Sequence, residues 1–74
     1  MISAENPPSG LPKLTEMEKR CLALAADGGT PADIARETDL PLAQVNAIMR
    51  GAVDKLDTRN VTGAIARAVR LDLI

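Results

Sequence analysis

The fold of this chain is decided between residues 30 and 56, which read TPADIARETDLPLAQVNAIMRGAVDKL. Thr30 can cap a helix with its hydroxyl, Pro31 fits the first helical position, and Asp33 stands where a capping-box acid would. Further along, apolar residues recur at spacings of four, three and four, which predicts a helix with one buried stripe. The stripe consists of Val45, Met49, Ala52 and Leu56. A short helix over 31–37, a tight turn and a longer helix over 42–56 together indicate a helix-turn-helix.

The composition predicts one small all-α domain. The chain has 74 residues and no aromatic residue, so a single core must be built from aliphatic side chains. Alanine is plentiful and strand-favouring residues are few, which favours helices. Residues 1–12 (MISAENPPSGLP) are rich in proline and are expected to form a flexible N-terminal tail. The domain is therefore predicted to span residues 13–74.

A first helix is expected to begin after Thr15. Thr15 followed by Glu18 forms a capping-box pattern in front of an apolar series. Glu18 could also reach a basic residue on another helix. Gly28 adopts the left-handed conformation at little cost and marks the end of this helix. Cys21, the single cysteine, excludes an intramolecular disulfide and is expected to be a small buried apolar residue, with a redox switch as the alternative.

A fourth helix is expected to begin after Asn60 or Thr62 and to continue to the end of the chain. The residues expected to face inward are Ile65, Ala66, Val69 and Leu73. The residues expected to face outward are Arg67 and Arg70.

The charge is balanced overall but unevenly distributed. The net charge is −1, from 9 basic and 10 acidic residues. Residues 1–40 hold 4 basic and 7 acidic side chains, which gives −3, whereas residues 41–74 hold 5 basic and 3 acidic side chains, which gives +2. Phosphate neutralisation dominates affinity for nucleic acid. Any surface that faces DNA is therefore expected in the second half of the chain.

Catalysis and cofactor chemistry find no support in the sequence. There is no histidine, the single cysteine has no base to activate it, and the ligands of a metal site are missing. Gly28 and Gly29 follow a predicted helix rather than a strand, so they do not form a phosphate-binding loop. We therefore expect no enzymatic activity and no cofactor. Since no apolar run could span a membrane and no signal peptide is visible, an intracellular, cytoplasmic protein is expected.

From residue 14 to residue 74 the chain resembles the LuxR/GerE-type helix-turn-helix domain. The matching pieces are LTEMEKRCLALAADG, then DIARETDL, then the pattern of Val45, Met49, Lys55 and Leu56, then RNVTGAIARAVRLDLI. The resemblance implies a four-helix fold in which helix three, about residues 42–56, enters the major groove of double-stranded DNA. It also implies a small bacterial transcription regulator whose helix four supports a homodimer.

The resemblance further assigns residues to DNA and to a dimer. The expected base contacts are Gln44, Asn46, Ala47 and Arg50, with arginine suited to guanine, the amides to adenine, and alanine to a thymine methyl group. The expected phosphate contacts are Thr30, Lys55 and Arg59. The expected dimer interface on helix four consists of Ala64, Arg67, Ala68 and Leu71.

Helix three departs from the family pattern at its start. Pro41 stands where a serine or threonine cap is usual, and Leu42 and Ala43 follow where polar or basic residues are usual. Arg50 is the only cation on the outer face, and Asp54 lies one turn further along. A weakly charged face with a partly exposed Leu42 also suits a protein partner. The alternative function is therefore a protein-interaction module of the same fold that has lost DNA binding, such as an antiactivator that docks on a related regulator.

Overall fold

Four helices make up the described part of the chain. The computed structural model describes residues 12–74. The helices are α1 (Glu16–Ala26), α2 (Pro31–Thr38), α3 (Leu42–Lys55) and α4 (Val61–Arg70). Residues 12–74 contain no strand. The prediction of an all-α, four-helix domain is confirmed, whereas the predicted flexible tail lies outside the described residues except for its last position.

Side-chain caps fix the starts of three helices. Thr15 accepts from the Glu18 amide at 3.0 Å, and the Glu18 carboxylate accepts from the Thr15 amide at 2.8 Å. Thr30 and Asp33 form the same reciprocal pair at 3.1 and 3.0 Å. Asn60 caps α4 by accepting from the Gly63 amide at 2.8 Å. These bonds stabilise the helix starts because they satisfy amides that have no partner inside the helix. The predicted starts of α1 and α2 are confirmed.

The ends of the helices use left-handed residues. Gly28 follows α1 with φ +94°, as its position in the sequence predicts. Asp39, Asp57 and Asp72 follow α2, α3 and α4 with φ values of 60°, 57° and 62°. Aspartate tolerates this conformation better than most residues but less well than glycine. Three of the four helix ends therefore carry a modest local cost.

The core lies where α3 packs against the other three helices. Its most completely buried side chains are Cys21, Leu22, Ile34, Val45 and Leu56. All four members of the predicted α3 stripe are buried, which confirms the sequence pattern. Cys21 is buried as predicted, and this burial raises the pKa of its thiol.

The predicted orientation of α4 is wrong in part. Val69 is 56% exposed and Ala66 is also exposed, whereas Ala64 and Ala68 are fully buried. Ile65 and the residues after the helix, Leu71 and Leu73, pack against the core only partly. The series from 61 to 73 holds two overlapping apolar stripes, and the structure buries the stripe of smaller side chains. Ala64 and Ala68 fill the interior where α4 packs against α1 and α3, and their small side chains take up little volume there.

Candidate nucleic-acid interface

The outer face of α3 is the main accessible surface of the helix-turn-helix. Its buried stripe faces the core, so the residues on the opposite side meet solvent. The exposed residues opposite the stripe are Ala43, Gln44, Asn46, Ala47, Arg50 and Asp54, while Leu42 and Lys55 are exposed at the two ends of the helix. All four residues predicted to contact bases lie in this set.

The polar side chains of this face are not engaged by the rest of the domain. Within residues 12–74, the side chains of Gln44, Asn46 and Arg50 make no hydrogen bond, and Arg50 makes no ion pair. Their donors and acceptors face outward from one rigid helix. An incoming ligand can therefore bind them without first breaking a bond inside the domain.

Contacts with α1 hold the C-terminal half of α3. Lys55 donates to the Glu18 carboxylate at 2.9 Å, so the predicted link from Glu18 to another helix is present. Burial by itself raises the pKa of Glu18, but the hydrogen bonds from Lys55 and Thr15 outweigh it and leave that pKa below its ordinary value. Gly51 lies beside this carboxylate, and a Cβ atom there would make an ordinary van der Waals contact with Glu18 Oε2 at 3.4 Å. This ion pair links the end of α3 to the start of α1.

The start of α3 has no side-chain cap. Pro41 is the N-cap residue, and its side chain cannot accept a hydrogen bond. The backbone carbonyl of Pro41 accepts from the amides of Gln44 and Val45 at 2.9 and 3.0 Å. Asp39, the nearest preceding acid, instead closes α2 in the left-handed conformation. Within residues 12–74 no acceptor is found for the amides of Leu42 and Ala43, so these two groups of the first turn of α3 are left to solvent or to an external acceptor.

The three predicted phosphate contacts lie in different local settings. Thr30 is exposed, and its oxygen accepts from Asp33 while its hydroxyl hydrogen can still be donated. Hydrogen bonds from Thr30 and Arg36 lower the pKa of Asp33, which keeps a negative charge beside Thr30. Arg59 is exposed in the loop between α3 and α4. Lys55 is exposed but is paired with Glu18, so an external anion would have to compete for it.

Two large apolar side chains remain exposed on the described surface. Leu42, at the start of α3, is 48% exposed, which confirms the expectation of partial exposure. Val69 is the other, and it lies on α4. Neither is buried against the domain, so each is available to a partner.

Two of the residues predicted for a dimer interface on α4 lie in the core of their own chain. Ala64 and Ala68 are fully buried there, so neither is accessible to a second copy in this fold. Arg67 is exposed and Leu71 is half-buried, so these two positions remain accessible.

The part of the chain from residue 12 to residue 74 contains no cluster of three potential metal-ligating side chains and no cavity. None of its helices has the length and apolar character needed to cross a membrane.

Comparison with known proteins supports the fold. No family model and no curated protein matches the sequence. A solved structure of the transcription factor GerE is similar, with a TM-score of 0.77 and 22% identity over 80% of this chain and 88% of that chain. The chain therefore has the GerE-type helix-turn-helix fold, as its sequence predicts.

Proposed function

We propose that this protein is a small bacterial transcription regulator of the cytoplasm that binds double-stranded DNA with α3 in the major groove. The observation that carries the proposal is the outer face of α3, where Gln44, Asn46 and Arg50 are exposed and unengaged within residues 12–74. A similar fold occurs in the transcription factor GerE. A helix of this kind fits the width of the major groove.

The side chains on this face suit direct reading of bases. Arg50 can donate two hydrogen bonds to guanine, and Asn46 or Gln44 can pair with the N6 and N7 atoms of adenine. Ala47 offers a methyl group to the methyl group of thymine. The short side chains of Ala43 and Ala47 also allow the helix backbone to come close to the bases.

Phosphate contacts position the helix in this proposal. Thr30 and Arg59 are the more available candidates, since both are exposed and make no ion pair within residues 12–74. Lys55 is expected to contribute less to phosphate binding, because it already forms an ion pair with Glu18. A small number of phosphate contacts implies a salt dependence weaker than that of strongly basic regulators.

Pairing of two copies through α4 stays a prediction. Its revised interface is the outward face of α4 with Val69, Arg67 and Arg70. Such a pair would place two α3 helices on successive half-sites of an operator.

The test is an NMR titration of ¹⁵N-labelled protein with a mixed-sequence duplex at low and at high salt. We expect the amides of Thr30, of residues 44–50 and of Arg59 to shift at low salt and to return at high salt. The absence of any shift at low salt would overturn the proposal. The variant Arg50→Ala separates the reading role from charge alone. It should lose specific binding, and an unchanged affinity for a selected site would contradict the assignment of Arg50.

Leu42 favours a second candidate function, a protein-interaction module of the same fold. Leu42 is 48% exposed at the start of α3, on a face that carries one cation. The partner in this case is a related regulator that receives α3 in an apolar groove. Leu42→Glu is expected to abolish such a complex, as measured by co-purification with the partner, while leaving the fold unchanged. A Leu42→Glu variant that still binds the partner would remove this candidate.

A further inference from the structure

We propose that Asp54 is a specificity-determining residue of the DNA-reading face and that it selects a cytosine. The inference rests on the proposed DNA-binding function. Asp54 is exposed and lies four residues after Arg50, so the two side chains share one side of α3. Asp54 is not among the proposed base contacts. A carboxylate that faces DNA repels the phosphates, so its presence on this side of α3 calls for an explanation.

No cation of residues 12–74 neutralises Asp54 in an ion pair. The pairs formed there are Lys19 with Glu16, Arg36 with Asp33, and Lys55 with Glu18. Lys55 is adjacent in sequence but points to Glu18 at 2.9 Å. An arginine that precedes an acid by four residues is also the weaker order for a pair on one helix. Asp54 therefore presents a free negative charge beside the reading residues.

The turn that carries Asp54 is fixed in place. Ala52 and Leu56, on either side of it, are buried in the core, and Lys55 is tied to α1 through Glu18. The backbone of Asp54 is therefore held at a defined position, from which its carboxylate can reach one base of a bound duplex.

Cytosine is the base that suits this carboxylate. In the major groove, the N4 amino group of cytosine is a donor, and Asp and Glu accept from it. Adenine also offers an amino group, but its neighbouring N7 acceptor repels a carboxylate. Four residues of helix rise about 6 Å, and base pairs stack about 3.4 Å apart. The cytosine is therefore expected about two base pairs from the base that faces Arg50.

This role has two effects that no purely structural role shares. Asp54 lowers affinity for every duplex through repulsion, and it recovers affinity only where the cytosine amino group is present. Removing the carboxylate should consequently strengthen non-specific binding and weaken discrimination at one base pair.

The experiment compares sites selected from a pool of random duplexes by the wild-type protein, by Asp54→Ala and by Asp27→Ala. Asp27 is an exposed acid at the end of α1, so its replacement changes the net charge equally without touching α3. We expect wild type and Asp27→Ala to select the same cytosine, and Asp54→Ala to accept any base there. The preference lost is expected to be about 5- to 150-fold, the usual effect of one mismatched base pair. NMR spectra of both variants verify that the fold is retained.

A second measurement leaves the protein unchanged. The selected cytosine is replaced by N4-methylcytosine, whose methyl group occupies the donor position in the major groove, and wild-type binding should weaken by a similar factor. If Asp54→Ala selects the same motif as wild type, or if the methylated site binds equally well, the inference is overturned while the proposed function stands. If wild type enriches no motif and binds no duplex at low salt, both are overturned together.

Discussion

The two helices of the helix-turn-helix, α2 and α3, begin in opposite ways. The start of α2 is fixed by its own sequence, because Thr30 and Asp33 exchange hydrogen bonds around Pro31. The start of α3 has only the backbone of Pro41, and this helix is held by its buried stripe and by the tie from Lys55 to Glu18. The comparison shows that local signals place the supporting helix, whereas tertiary contacts place the proposed reading helix. The exposed side chains in the N-terminal half of α3 can therefore be substituted without removing the contacts that hold the helix.

The largest expected effect comes from breaking the tertiary contacts of α3. Leu56 is 1% exposed, and Leu56→Ala should lower the free energy of unfolding by about 2–5 kcal/mol through lost burial and the cavity left behind. Urea unfolding followed by circular dichroism at 222 nm measures this loss. Leu42→Ala, the same substitution at the exposed start of α3, is the control and should cost far less. Equal losses at the two positions would contradict the claim that the buried stripe holds α3.

The second-largest effect on stability is expected from removing the N-terminal cap of α2. Thr30→Ala deletes the cap and should cost about 1 kcal/mol, since an amide of the first turn loses its acceptor. Pro41→Ala at the start of α3 removes no side-chain hydrogen bond and should cost less. Thermal or urea unfolding of both variants sharpens the comparison. A larger loss for Pro41→Ala would mean that α3 depends on its first residues as α2 does.

A smaller change, an increase in stability rather than a loss, is expected from a substitution at the end of α3. Asp57 has φ 57°, and Asp57→Gly should raise the free energy of unfolding by up to about 1 kcal/mol, because it removes the cost of roughly 1–2 kcal/mol that a Cβ atom incurs in this conformation while the unfolded chain gains about 0.4–1 kcal/mol of entropy. Asp57→Ala removes the same charge but keeps a Cβ atom, so it should destabilise the protein. If both variants were stabilised equally, charge rather than backbone conformation would explain the change.

The smallest effect is the pH dependence of the tie between α1 and α3. The pKa of Glu18 is lowered in the folded protein, so its contribution to stability is complete above its unfolded pKa of about 4.3. That contribution is lost as the pH falls through the lower folded-state pKa. Urea unfolding at pH values from 6 down to 3 should show a decline that Glu18→Gln reduces. A decline of the same size in Glu18→Gln would assign the pH dependence to other carboxyl groups. Asp33, whose pKa is also lowered, is the first to consider.

The predictable parts of the fold were those that local patterns determine. The caps at Thr15 and Thr30 and the buried stripe of α3 followed from spacing alone. The orientation of α4 did not, because its apolar residues allow two stripes and the contact partners decide between them. Ala64 and Ala68 are buried where α4 packs against α1 and α3, and this leaves Val69 exposed. The spacing of apolar residues within α4 does not predict which of the two stripes its neighbours will cover.

The position of the candidate site could be predicted from the sequence. Which of its charged side chains form ion pairs within the domain could not. The exposure of Gln44, Asn46, Ala47 and Arg50 follows from their place opposite the buried stripe. The partner of Lys55 depends on the three-dimensional distance between α1 and α3, so a cation that looked free in the sequence is paired. The same pairing leaves Asp54 without an ion-pair partner among residues 12–74, a fact that the sequence alone does not reveal.

The complete burial of Cys21 gives the protein an internal reporter of its own opening. The thiol is 0% exposed and its pKa is raised, so alkylating reagents, which attack the thiolate, should leave the folded state unmodified. The chain has no tryptophan, tyrosine or phenylalanine, so intrinsic fluorescence cannot follow its unfolding. Pulsed labelling of Cys21, read by mass spectrometry, would instead measure how often the core around this side chain of α1 opens to solvent. The same labelling in the presence of duplex DNA would show whether binding slows that opening.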